Sequence, residues 1–420
     1  MSFPGAGSTV AVAIDGGDLA LGGGLLALVR PALELLEPGG VLAVVSSART
    51  VAEDLPAWCR LERHEYVDQE EVAGGRTRHL IARGPYSVPR GEREERVNLP
   101  RRSGRLLSAD LLAAVPMPEH ADPSTGFAPR GAQVEPGGPT YPFALLDRDR
   151  VAPPEVAHLY DQAVAAQWDA SRDIPWEKVQ PLPPALERAM GQVMTFLAEN
   201  ELSALYVPSR FLPRIHPAYV EVAMFLATQV ADEARHIDVF LKRARAGSGG
   251  VGISSATTSR SLLSLLELED FTEAAFLLSV LGEGTFLDLL RYIENYAPDE
   301  ATAELTRRAR LDEARHVHFG LAHVRHALAH DPALYGRLEA AVRRRAATLH
   351  NAGGVPSHLQ DALTILAARD TAPSAVRRGH EAFRELLETM HEQRVKRLLN
   401  AGFTPEQAQT ISDLHTPNFM

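Results

Sequence analysis

Asp-Glu-Ala-Arg-His occurs twice in this chain, at 232–236 and again at 312–316. In each copy a Glu is followed three residues later by a His: Glu233 and His236, then Glu313 and His316. Both copies lie in long stretches of helical periodicity, where positions i and i+3 share one face, a turn apart. A carboxylate and an imidazole so placed can grip one metal ion together, and two such pairs can grip two. A single copy would read as a solvated polar pair on a helix surface. Two identical copies, each preceded by a helix with an acid embedded in it, call for a fold that brings both motifs to one place.

The embedded acids follow a pattern. Leu197-Ala198-Glu199 precedes the first motif and Leu281-Gly282-Glu283 the second, with Glu199 34 residues before Glu233 and Glu283 30 residues before Glu313. Glu283 stands in an otherwise apolar run, where an ionised side chain is costly without a partner. Glu201 rivals Glu199, and since two residues turn a helix by about 200° the two cannot both face the core. The shared Leu-small-Glu pattern favours Glu199. The expected ligands are therefore Glu199, Glu233, His236, Glu283, Glu313 and His316. Four carboxylates and two imidazoles suit iron, with manganese possible, better than zinc. Two iron ions reacting with O2 as co-substrate are the expected cofactors. A ligating His usually donates its second N–H to a carboxylate. Asp232 is expected to reach His316 and Asp312 to reach His236, with Arg235 and Arg315 offsetting their charge.

Helical periodicity runs from 155 to 401, over 155–170, 184–206, 217–246, 260–296, 299–329, 332–350, 356–369 and 373–401, punctuated by prolines such as Pro183, Pro184 and Pro298. With the duplicated motif, this stretch resembles the ferritin-like di-iron superfamily, in which two further helices each add a Glu. It is similar to the oxygenase and ribonucleotide reductase small-subunit branch, on Gln167-Trp168-Asp169-Ala170 followed by Asp173-Ile174-Pro175-Trp176. Both tryptophans are read as core and helix-end packing. Departures from the branch narrow its meaning. Where the reductase subunits carry a radical-forming Tyr this chain has Phe240, and where three-histidine N-oxygenases carry a third His it has Ala309. Tyr206, Tyr292 and Tyr296 are expected to pack in the core. The arginine runs 343–345 and 377–378 are expected to be solvated faces.

Residues 1 to about 84 have mixed periodicity in the order βαβαββ, which implies a small two-layer sandwich with helices on one face of a mixed sheet. The stretch resembles the TusA/SirA sulfur-carrier family at Asp15, Leu35-Leu36-Glu37-Pro38-Gly39, Glu53-Asp54-Leu55-Pro56-Ala57-Trp58-Cys59, His64-Glu65 and Arg78 to Arg83. That family carries sulfur on a Cys opening the first helix. Here the place reads Leu21-Gly22-Gly23-Gly24, so the resemblance implies a fold without sulfur transfer, and Cys59 is read as a buried small hydrophobe. Residues 85–150, dense in Pro and Gly, read as a linker or as a segment that wraps over a neighbour, and the basic cluster Arg101-Arg102-Ser103-Gly104-Arg105 reads as solvated linker.

The fold class expected is thus multidomain: an α/β unit at 1–84, a linker, and a ferritin-like all-α bundle at 151–420. The lone cysteine, Cys59, excludes an intrachain disulfide or Cys-ligated cluster. A net charge of −11 argues against nucleic acid. The absence of a long apolar run argues against a membrane span, and the absence of a basic leader argues for the cytoplasm. The function these features imply is an O2-dependent di-iron oxygenase or oxidase acting on a small organic substrate of secondary metabolism. Its partners would be an external electron donor (ferredoxin, a reductase or a small reductant) and a second copy as a homodimer. Alternatives are a ferroxidase or metal-storage protein, and a scaffold whose TusA-like domain binds a partner.

Overall fold

A computed structural model describes residues 10–84, 106–113, 115–132, 134, 138–247, 249–350 and 355–415. The basic cluster at Arg101, Arg102 and Arg105 and the tail beyond His415 lie outside them. The chain divides into two compact units, Met1–Glu95 and Arg96–Met420.

The first unit runs β1 (Val10–Gly17), α1 (Leu26–Glu34), β2 (Val41–Ser46), α2 (Val51–Leu61), β3 (Glu65–Val72) and β4 (Arg76–Ala82). The sheet order is β1-β2-β4-β3, with β1 parallel to β2 and β4 antiparallel to both its neighbours. Gly74 and Gly75 turn β3 into β4 with φ of +84° and +69°, a region glycine enters freely. Alternation along β2 sends Leu42 and Val44 to one face, where they meet Ile81 and the apolar stripes of α1 and α2. Edge strand β3 is largely exposed and carries Glu65, Asp68, Glu70 and Glu71, charges that discourage pairing with another chain.

The second unit begins earlier than the sequence suggests. The described residues of 106–150, a stretch read above as linker, include segments packed against the helices. The backbone N–H groups of Ser108 and Ala109, at the start of α3 (Ser108–Ala113), each donate to the Asp161 carboxylate at 3.0 Å. Tyr219 Oη donates to the Leu146 carbonyl at 2.6 Å, and Arg130 donates to buried Glu221 at 3.0 Å. Ala121 and Leu145 are buried in the helical core. Where this stretch is described, its prolines and glycines serve short turns, and several of its backbone polar groups are satisfied locally and by the bundle.

The helices follow in order: α4 (Val156–Ala165), α5 (Pro184–Phe211), α6 (Val220–Ala246), α7 (Ala256–Leu266), α8 (Phe271–Ala275), α9 (Gly284–Asn295), α10 (Glu300–His330), α11 (Leu334–His350), α12 (Ser357–Ala368), α13 (Pro373–Asn400) and α14 (Pro405–Leu414). Side-chain caps set several starts. Asp299 accepts from Thr302 N at 2.7 Å at α10, and Asp270 from Glu273 N at 2.9 Å at α8. The single helix expected over 260–296 is broken. Leu268 to Asp270 interrupt it, and between α8 and α9 the backbone widens into a π-helical segment, Phe276–Glu283. Tyr292 is buried and donates to the Leu363 carbonyl at 3.1 Å, and Tyr296 packs on the core, but Tyr206 is exposed, contrary to the core role expected of it. Among the described residues no helix is long and apolar enough to cross a membrane.

Candidate metal centre

α5, α6, the π segment and α10 converge on one buried acidic cluster. Glu201 comes from α5, Glu233 and His236 from α6, Glu283 from the end of the π segment, and Glu313 and His316 from α10. All six are at most 2% exposed. Their donor atoms form two overlapping sets, each within 4.8 Å: Glu201, Glu233, His236 and Glu313 in one, Glu233, Glu283, Glu313 and His316 in the other. Glu233 and Glu313 belong to both. His236 Nδ1 lies 3.3 Å from Glu233 and 3.2 Å from Glu313, and His316 Nδ1 lies 3.0 Å and 3.4 Å from the same two carboxylates.

Glu199 is not among the six. It is half-buried on another face of α5 and accepts from Ser254 Oγ. The correction is a matter of helical phase. The Leu-small-Glu pattern aligned Glu199 with Glu283, but Glu283 sits in a π turn, so similar local phrases do not place their acids alike. Burial at 201, flanked by Asn200, Ser203 and Ala204 on the inward side, decides for Glu201.

The aspartates of the two motifs cross between helices. Asp312 Oδ2 lies 3.1 Å from His236 Nε2, and Asp232 Oδ2 lies 3.3 Å from His316 Nε2. Arg235 donates to Asp312 at 3.0 Å and contacts Asp232; Arg315 donates to Asp232 at 3.3 Å and contacts Asp312. Three further residues enter this network that sequence reasoning left out of it. Trp168 Nε1 donates to Asp312 Oδ2 at 2.7 Å, so this indole has a polar task beyond the packing expected of it. Gln167 donates to Asp232 at 3.0 Å while accepting from Arg235 at 2.6 Å. Gln229, one turn before Glu233, donates to Glu283 Oε1 at 3.0 Å. Arg235 also lies over the Trp168 ring, 4.7 Å from its centroid. Trp176, by contrast, donates to the Ala170 carbonyl at 2.9 Å and takes no part. Gln229 carried no signal beyond its helical phase; Gln167 and Trp168 carried one in their shared Gln-Trp-Asp phrase.

The electrostatics mark the cluster as a place for cations. Burial, with Glu313 and Glu233 close by, pushes the Glu201 and Glu283 carboxyls well above the usual range. Burial alone would depress His236 and His316, but Asp312, Glu233 and Glu313 around the first, and Glu233, Glu313 and Asp232 around the second, hold both imidazoles well above their ordinary value. Burial also works against ionisation of Glu233, yet the two histidines keep it well below the carboxylate range. Close as they are, Glu201 Oε1, Glu233 Oε1, Glu283 Oε2, both Glu313 carboxylate oxygens and His316 Nδ1 make no well-aligned hydrogen bond. Buried polar atoms are rarely left so. The donor set fits a metal pair. Four Glu carboxylates balance two divalent ions, Asp232 and Asp312 are balanced by Arg235 and Arg315, and the histidines present Nδ1 inward while Nε2 meets an aspartate.

No family model matches this chain, and no curated protein matches it in sequence. Among solved structures it is similar to variants of an R2-like ligand-binding oxidase. One variant, with an aerobically reconstituted Mn/Fe cofactor, shares 19% identity at a TM-score of 0.47. Another, with an Fe/Fe cofactor, shares 18% at 0.46. Each comparison covers 58% of this chain and 92% of the other.

Proposed function

We propose that this chain is a non-haem di-iron oxidoreductase that uses O2 to oxidise a small organic substrate. Glu201, Glu233, His236, Glu283, Glu313 and His316 would hold the two ions, iron at both positions or manganese at one. The observation that carries this reading is the pair of overlapping donor sets sharing Glu233 and Glu313. When bound and reduced by an external donor, such a pair supplies the electrons and open coordination positions that O2 reduction needs.

The chain's own groups have distinct tasks. Asp312 and Asp232 would keep the Nε2 protons of His236 and His316, so that a bound cation displaces only the Nδ1 proton and takes the lone pair it frees. Gln229 turns Glu283 by its hydrogen bond. A narrow apolar cleft beside Gln229 and Ser279, walled by Phe211, Leu226, Phe271 and Phe319, adjoins the centre. It suits the hydrocarbon part of a substrate and keeps bulk water from the reacting atoms. The α/β unit serves this reading as a partner-binding module. Its Cys59 is fully buried and burial pushes the thiol up to about 12, which leaves no thiolate for sulfur transfer.

The test is O2 consumption by the iron-loaded, chemically reduced full chain, followed by stopped-flow absorbance. The expected result is rapid, metal-dependent consumption that Glu233→Ala abolishes. A fully loaded and reduced chain that leaves O2 untouched would overturn the oxidase reading.

A further inference from the structure

The last two turns of α10 carry a pair of imidazoles apart from the acidic cluster, about 15 Å along the helix from His316. His326 and His330 are four residues apart and share a face. Their ring centroids are 4.4 Å apart, with the planes tilted by 58°. Two imidazoles on one ion, with bonds of about 2.1 Å that meet at about 90°, have centroids at about this spacing. His330 Nδ1 lies 2.8 Å from the His326 carbonyl oxygen, one turn back. A carbonyl only accepts, so Nδ1 carries the proton and a neutral His330 offers its lone pair at Nε2. His326 Nε2 is buried without a hydrogen-bond partner. A buried imidazole nitrogen is seldom left so.

The surroundings favour a bound cation over a protonated ring. Burial, then His330 and Arg148, push the His326 imidazole below its ordinary value, while Asp149 and Glu155 pull it up. Neutral imidazole is the form that ligates. Of the charges near it, Glu155 is held by Arg325 at 2.7 Å and Arg148 by Glu119 at 3.0 Å. Asp149 is half-buried and, among the described residues, has no hydrogen-bond or ion-pair partner, so its carboxylate is open to an ion or to an ion's water. α10 also ends at His330, where the carbonyls of the last turn favour positive charge. The donor type sets the metal. Imidazole nitrogen suits zinc, copper and nickel, whereas the oxygen-rich cluster suits iron and manganese.

We propose that His326 and His330 form a second metal site, for a single Zn2+ ion, with Asp149 as the supporting carboxylate and water completing the coordination. The site stands independently of the di-iron reading. Asp149 lies on the short 3-10 turn Arg148–Arg150, so an ion held by all three side chains fastens that turn to the end of the helix that carries Glu313 and His316.

Titration of Zn2+ into the iron-loaded full chain, in competition with a chromophoric chelator of known affinity, tests this, with bound iron counted before and after. One Zn2+ per chain is expected to bind without release of iron. His330→Ala, at an exposed position, should weaken that binding by about tenfold or more, because the second imidazole acts as a tethered ligand. Asp149→Asn should weaken it by a smaller factor. Electron paramagnetic resonance of Cu2+ bound to the unmutated, iron-loaded chain gives a readout that needs no variant to fold, and coupling to two nitrogens is expected. Zn2+ binding unchanged in His330→Ala or in Asp149→Asn, Zn2+ taken up only as iron is lost, or Cu2+ held by fewer than two nitrogens would overturn the proposal.

Discussion

Two acids two residues apart on α5 face different surroundings, and the difference is measurable. Glu201 points into the cluster and Glu199 toward Ser254. Glu201→Gln is expected to lose at least one of two bound irons, while Glu199→Gln keeps both, as read by metal analysis after gel filtration. The reverse pattern would restore the assignment favoured by the sequence. The duplicated motif was legible because a repeated i, i+3 pair needs no knowledge of the partner helix. The choice between Glu199 and Glu201 was not, because it depends on the rotation of α5 about its own axis, which neighbouring helices set. The hydrogen bond from Trp168 to Asp312 was hidden for a similar reason: its partner is 144 residues away. Asp312→Asn retains the size of the side chain but loses the charge that holds His236 Nε2–H. It is expected to weaken metal affinity by roughly 10- to 100-fold. Competition against a chelator of known affinity checks this.

At the scale of elements, α10 does more than carry ligands. Two turns past His316 it presents His323, fully buried, whose Nε2 lies 3.0 Å from Thr272 Oγ1 on α8. Phe319 stacks on the imidazole and Phe271 meets it edge-on. Burial, with His326 nearby, pushes this imidazole down to about 4. In the unfolded chain it titrates near its ordinary value of about 6.5. Below that pH the unfolded state therefore holds a proton that the folded state refuses, and stability falls as pH drops from about 6.5 toward about 4. Between about pH 7 and about pH 5 the loss from this one group is on the order of 2 kcal/mol. His323→Gln should remove that share of the loss, as urea midpoints at the two pH values would show; an unchanged difference would mean that His323 is protonated in the fold. Helix positions in the bundle were readable from periodicity and caps. The break into α8, π segment and α9 was not, because an apolar run such as Phe276–Leu281 has no polar face to reveal where a turn widens. Arg345, of the run expected to be solvated, is 6% exposed. It escaped for the converse reason: in a run of three arginines composition says nothing of which one turns inward.

The molecule as a whole is two units with separate apolar cores, one built around Leu42, Val44 and Cys59 and one around the helices that bear the metal centre. The order of strands and helices in the first unit was legible from alternation, but the start of the second was not, since the stretch before 150 looks like a linker until Asp161, Arg214 and Tyr219 are seen to hold Ala109, Leu145 and Leu146. Separate cores imply separate responses to metal. Metal that binds the folded helical unit stabilises that unit by mass action, about 2.7 kcal/mol at a hundredfold excess over the dissociation constant. The α/β unit has an apolar cluster of its own, and its expected response is to stay where it is. Cys59, the one cysteine in the chain and fully buried, reports on the α/β core alone. A thiol reagent added along a urea series should therefore label Cys59 at a midpoint that iron does not move, while helical circular dichroism, dominated by the second unit, shifts to higher urea on loading. If iron moved both midpoints together, the two cores would have to unfold as one cooperative block, and the α/β unit would then stabilise the bundle directly.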